Sequence, residues 1–158
     1  MRTEVWYPAG FPWTKERSAQ RAGLIMACAA AFLSFLYQFQ PLVYVLYVSG
    51  LGEEAVMPPF PAFLGGFGLP FLLLALCQPA VALAHHLYHY QGGRSIYRMR
   101  TLPQRGELAR RCLAAPAAAL GWCVLAAVAV AVLCALYYRV FTPAGLLPAH
   151  WLLGGALC

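Results

Sequence analysis

Polar and apolar positions in this chain do not alternate; they fall into long blocks. Three apolar blocks run from about Ala22 to Val48, Phe60 to Ala84 and Cys112 to Tyr138, and none contains Asp, Glu, Lys or Arg. At about 1.5 Å of rise per residue, each is long enough as a helix to cross roughly 30 Å of hydrocarbon. A fourth block, Leu146 to Cys158, contains Pro148 and His150 and is too short to span. The pattern predicts an all-α polytopic membrane protein. Three transmembrane helices are followed by a short C-terminal interfacial or re-entrant helix. The expected organisation is an interfacial tail over 1–21, a three-span domain over 22–138 with a loop over 85–111, and an apolar tail over 139–158.

Composition narrows the class further. Hydrophobic residues make up 62% and charged residues 10%, whereas soluble domains carry about 25% charged residues. A globule of this size hides only about 70% of the surface its unfolded chain exposes, too little to bury so much apolar area. Disorder is excluded by the same excess.

The formal net charge of +6 would suggest nucleic acid in a soluble protein, but its distribution argues for a bilayer. Arg2, Lys15, Arg17 and Arg21 precede the first block. Arg94, Arg98, Arg100, Arg105, Arg110 and Arg111 lie between the second and third, and only Arg139 stands elsewhere. The first loop has Glu53 and Glu54 and no basic residue. By the positive-inside rule the N-terminus and second loop lie in the cytoplasm, with the first loop and C-terminus outside the plasma membrane. Ile25-Met26-Ala27-Cys28 faintly resembles a lipoprotein cleavage box, but it stands too close to Arg21 for a signal core, so the first span is expected to be retained. Trp6, Tyr7, Phe11 and Trp13 among basic residues suit an interfacial anchor.

Helices in lipid gain little from hydrophobicity when they associate, so close packing and polar contacts must hold them. The third span supplies small residues at helical spacing, Ala117 and Gly121, then Ala127, Ala131 and Ala135. These are the expected helix-packing positions, serving a membrane-protein partner or a homo-oligomer. Cys112, Cys123 and Cys134 recur every eleven residues and share a face, but roughly 16 Å separates successive sulfurs, so packing rather than metal binding is expected. The first two spans each carry a Gln-Pro pair, Gln40-Pro41 and Gln78-Pro79. Each predicts a kink with interhelical hydrogen bonding, or, with Gln38, part of a polar path. Gly65, Gly66, Gly68 and Pro70 predict a loose or broken outer end to the second span.

Candidate chemistry is sparse. His85, His86 and His89 close the second span; His85 and His89 face the same way at metal-ligand spacing, but further ligands are lacking nearby. Histidines also sit comfortably at a membrane surface beside Tyr88 and Tyr90. No nucleophile–base motif and no phosphate-cradling glycine loop is present. No ionisable group lies at depth, where a self-sufficient carrier or pump would place one. The expectation is a protein that is not an enzyme and has no cofactor or metal.

The second loop is the most specific segment. It reads QGGRSIYRMRTLPQRGELARR, with Pro103 placed to open a helix that runs through Glu107 into the third span. The stretch Thr101-Leu102-Pro103-Gln104-Arg105-Gly106-Glu107-Leu108 resembles the cytoplasmic segment between the second and third spans of type-two ABC exporter permeases. Over most of its length the chain is similar to small uncharacterised membrane proteins associated with such exporters, which share patterns like SIYRMRTLPQRGELARRC and LYYRVFTPAGLLPAHW. The resemblance implies docking on an ABC ATPase subunit through Leu102, Pro103, Arg105 and Glu107. A full permease has about six spans and this chain three, so the implied role is a half-permease or accessory subunit. The alternative is a structural or regulatory integral membrane protein that binds other membrane proteins without transport.

Overall fold

The computed structural model describes residues 12–48, 56–91 and 107–152. Three long helices dominate: α1 at Trp13–Val48, α2 at Leu69–Gln91 and α3 at Glu107–Phe141. Short 3₁₀ helices stand at Phe60–Leu64 and Ala144–Leu146. All three long helices contain stretches apolar and long enough to cross a membrane, Trp13–Leu46, Leu69–Tyr88 and Cys112–Phe141. The protein is thus an all-helical integral membrane protein of the polytopic class. Large apolar side chains such as Leu72, Leu76, Val124, Leu133 and Val140 are exposed along these helices. Such a surface is a liability in water and the expected one in hydrocarbon.

α1 starts at Trp13, so residues 13–21, read from sequence as part of the tail, continue the first helix. The difference follows from what hydropathy measures: it marks the stretch that can sit in hydrocarbon, while the helix itself extends into the polar margin. Each helix also continues through an internal proline, at Pro41, Pro79 and Pro116. The expected break before the second span is present: a 3₁₀ turn, then Gly65–Gly68, then α2 from Leu69. Gly66 has φ +80°, a left-handed conformation that glycine adopts without steric cost.

The chain divides into two compact units, Met1–Ile25 with Leu72–Leu125, and Met26–Phe71 with Ala126–Cys158. The second unit has an aromatic core. Phe35 stacks on Phe39 with centroids 5.4 Å apart, and Phe39, Phe60 and Phe63 all meet Tyr138 within 5.7–6.0 Å. Most of these pairs are tilted or edge-on, the arrangements that ring quadrupoles favour. Polar groups fasten the rim of this core. Tyr138 donates its hydroxyl to the Pro58 carbonyl at 2.7 Å. The Gln38 amide donates to the carbonyls of Ser34, Phe63 and Gly65, pinning the turn before α2 against α1. The tail joins in through its backbone: Met57 N–H donates to Leu146 and Phe60 N–H to Trp151. Beyond the end of α3, its described part consists of a bend at Thr142, a 3₁₀ helix and a turn over 149–152, fastened through Leu146 and Trp151 to residues 57–60.

Candidate functional site

The first unit contains the chemistry that the second lacks, and a proline explains its position. In an α-helix the carbonyl of residue 112 would accept the N–H of residue 116. Residue 116 is proline, which has no N–H, so the Cys112 carbonyl is left without its helical donor. His85 of α2 fills the vacancy, with Nδ1 3.2 Å from the Cys112 oxygen. The other ring nitrogen, Nε2, lies 2.6 Å from Oε2 of Glu16 on α1. Gln20, one turn on from Glu16, donates its amide to Oε1 at 2.9 Å.

This geometry fixes the protons. A carbonyl oxygen only accepts, so Nδ1 carries a hydrogen. A further proton must then lie between Nε2 and the carboxylate. It belongs either to an imidazolium beside Glu16⁻ or to a neutral pair in which Glu16 donates. His85 is fully buried and the Glu16 side chain is 14% exposed. Burial of an ionisable pair is tolerable only with this kind of complete hydrogen bonding. One imidazole thus bonds α1 and α3 to α2 at a single point.

Beside this node lies a cavity of about 600 Å³, within the usual range of ligand pockets. Glu16, Arg17, Gln20 and Arg21 line it together with apolar groups including Leu24, Leu74, Val81 and Trp122. Gln78 is also in its wall and is only 5% exposed. Its Nε2 donates to the Leu74 carbonyl at 3.1 Å, while its Oε1 has no hydrogen-bond partner. Close approach of α1 and α2 is helped by Gly23, where a Cβ would stand 3.0 Å from Leu74 Cδ2.

The sequence-derived candidates fare unevenly. His85 is buried, with its ring between the carbonyl freed by Pro116 and the Glu16 carboxylate. His86 is exposed, and the side chain of His89 lies outside the described residues. No three His, Cys, Asp or Glu side chains converge as a metal site among the described residues. Cys112, Cys123 and Cys134 are all buried, as a shared packing face requires. In the packing strip, Ala117 and Gly121 are exposed, whereas Ala127, Ala131 and Ala135 are half-buried. Gln40 of the first Gln-Pro pair is exposed and Gln78 of the second donates to Leu74 of its own helix, whereas Gln38, expected only as part of a polar path, makes the tertiary hydrogen bonds. Leu102, Pro103 and Arg105 lie outside the described residues, and Glu107 is the first residue of α3.

Glu16 was not singled out by sequence. Its partner is 69 residues away. The readable signal was Pro116, which orphans a carbonyl four residues earlier and so calls for a donor there. Comparison of the chain with family models, curated proteins and solved structures gives no match to any of the three.

Proposed function

We propose that the chain is a non-catalytic membrane component of an ABC-type exporter, a half-permease or accessory subunit. In this reading it sits in the plasma membrane with its N-terminus inside and couples to an ATPase through residues 95–111. The observation that supports it best is the way both flanks of that loop are held. The loop leaves from α2 and returns into α3, and the His85 bond to the Cys112 carbonyl ties these two helices close to where it does so. Glu16 brings α1 into the same node. A push on the loop by an ATP-driven partner is therefore shared among three helices instead of being dissipated in one. The loop's resemblance to the docking segment of exporter permeases supports an ATPase subunit as that partner.

A second reading, a structural or regulatory protein that only binds other membrane proteins, is favoured by a specific feature. Ala117 and Gly121 are exposed, and a Cβ at Gly121 would meet nothing within 4 Å. Another helix could approach this backbone closely.

One experiment separates the two. The chain is co-expressed with a candidate ABC ATPase subunit and purified through either partner, as wild type, Arg105→Glu, Arg94→Glu and Gly121→Leu. ATPase docking predicts that Arg105→Glu abolishes co-purification, since like-charge contact in an interface costs several kcal/mol. Arg94→Glu should lose little, because each basic residue near a lipid surface contributes only about 1 kcal/mol. Loss at Gly121→Leu alone, with Arg105→Glu unaffected, would favour the second reading. Failure of the wild type to co-purify would refute the first.

A further inference from the structure

The cavity beside the His85 node combines three features: a basic rim without an ion-pair partner among the described residues, a hydrocarbon wall and a buried acceptor without a donor. Arg17 is half-buried, Arg21 is exposed, and neither has an ion-pair partner among the described residues. The carboxylate closest at hand does not neutralise them, because Glu16 is engaged by His85 and Gln20. Leu24, Leu74 and Trp122 supply the apolar lining. The heights of these groups follow from two contacts. Glu16 meets His85, and Gly23 faces Leu74. Between these contacts α2 passes Gln78 while α1 passes Gln20 and Arg21. Gln78 therefore stands at the level where the basic rim gives way to hydrocarbon.

We infer that this cavity is a binding site for an anionic glycerophospholipid taken from the bilayer. The phosphodiester would lie against the Arg17 and Arg21 guanidiniums, whose forked donors suit phosphate oxygens. The upper acyl chain would run along Leu24, Leu74 and Trp122. A headgroup hydroxyl would donate to Gln78 Oε1, relieving the cost of a buried acceptor left unpaired. The cavity, at about 600 Å³, takes the headgroup–glycerol region and part of one chain, with the remainder in the surrounding lipid. This inference does not depend on the exporter reading.

The test is native mass spectrometry of the full chain released from mixed vesicles of phosphatidylglycerol and phosphatidylcholine with matched acyl chains. The wild type should retain one phosphatidylglycerol. Its preference over phosphatidylcholine should be roughly thirtyfold, the scale that two basic residues supply at a lipid surface. Arg17→Gln/Arg21→Gln should abolish the preference, and Arg17→Lys/Arg21→Lys should keep most of it while controlling for folding. Phosphatidylmethanol, anionic but without a headgroup hydroxyl, isolates Gln78. Wild type should favour phosphatidylglycerol over it, and Gln78→Leu should erase that difference without changing the preference over phosphatidylcholine. Equal retention of the two matched lipids by wild type, or an unchanged preference in the double glutamine variant, would overturn the site. Displacement of the lipid by millimolar inorganic phosphate would overturn the lipid assignment, since the hydrocarbon wall would then contribute nothing. Loss of the hydroxyl preference in neither protein would remove Gln78 from the site.

Discussion

Among the described residues, the second unit is built around many rings, whereas the first brings three helices together on one imidazole. Phe35, Phe39, Phe60, Phe63 and Tyr138 are all largely buried, and each touches several of the others. Removing any one leaves a network behind. In the first unit, His85 joins Glu16 to the Cys112 carbonyl. That unit's wall also keeps a cavity of about 600 Å³ and an unpaired amide oxygen. The contrast teaches where each unit can change. A ring cluster resists rearrangement, because its contacts are numerous and non-directional. A directional node beside open space can be altered by a single proton, ligand or displaced helix.

The largest expected effect is at the node. Glu16→Ala leaves a fully buried imidazole facing no carboxylate, a defect of about 3–5 kcal/mol where a buried pair loses one partner. Hydrogen exchange in detergent should show α2 around residue 85 and α3 around residue 112 losing protection, with residues 57–71 unchanged. Loss of protection spread equally over both units would contradict the division of labour.

Phe35→Ala tests the opposite unit. Truncating a buried phenylalanine costs about 3 kcal/mol through lost contacts and an unfilled cavity. The ring cluster should blunt this effect, and exchange should rise around residues 57–71 and 134–142 while residue 85 stays protected. A cost as large as that of Glu16→Ala would show that the ring network is no more tolerant than the node.

Gln38→Leu should have the smallest effect, about 1–2 kcal/mol. The Phe63 and Gly65 carbonyls lose a donor at the edge of the core, where other donors can replace it in part. Increased proteolysis within 63–68, without a change in global unfolding by denaturing detergent, is the expected signature. A fall in global stability would mean that the turn before α2 belongs to the core.

Much of the fold was legible because hydropathy and glycine placement are local signals. The three spans, the interruption over 65–68 and the shared face of Cys112, Cys123 and Cys134 all depend on spacing within one segment. The aromatic cluster was harder to read. Phe35 and Phe39 are one turn apart and announce a face, but nothing in their spacing specifies that Tyr138 and Phe63 would meet it. The node was hardest. Glu16, His85 and Cys112 come from three segments, and their meeting depends on how antiparallel helices align, which periodicity does not encode. Only the backbone gap made by Pro116 pointed to it, and that gap identifies a missing donor without naming the residue that supplies one. Gln78 was legible as a polar residue beside a proline, but its unpaired oxygen depends on the cavity that three helices enclose together.

The proline at 116 also bears on biogenesis. Translation runs from the N-terminus, and earlier segments start to fold while later ones are still being made. When α1 and α2 have left the ribosome, Glu16 and His85 can already meet, but the carbonyl that orients the ring belongs to a segment not yet delivered. A nascent chain halted before residue 112 would therefore lack the acceptor for Nδ1–H that the Cys112 carbonyl supplies. Arrival of the third helix ends that interval: the oxygen that Pro116 cannot satisfy from within its own helix captures the waiting Nδ1–H. The node is thus complete only when α3 has joined α1 and α2.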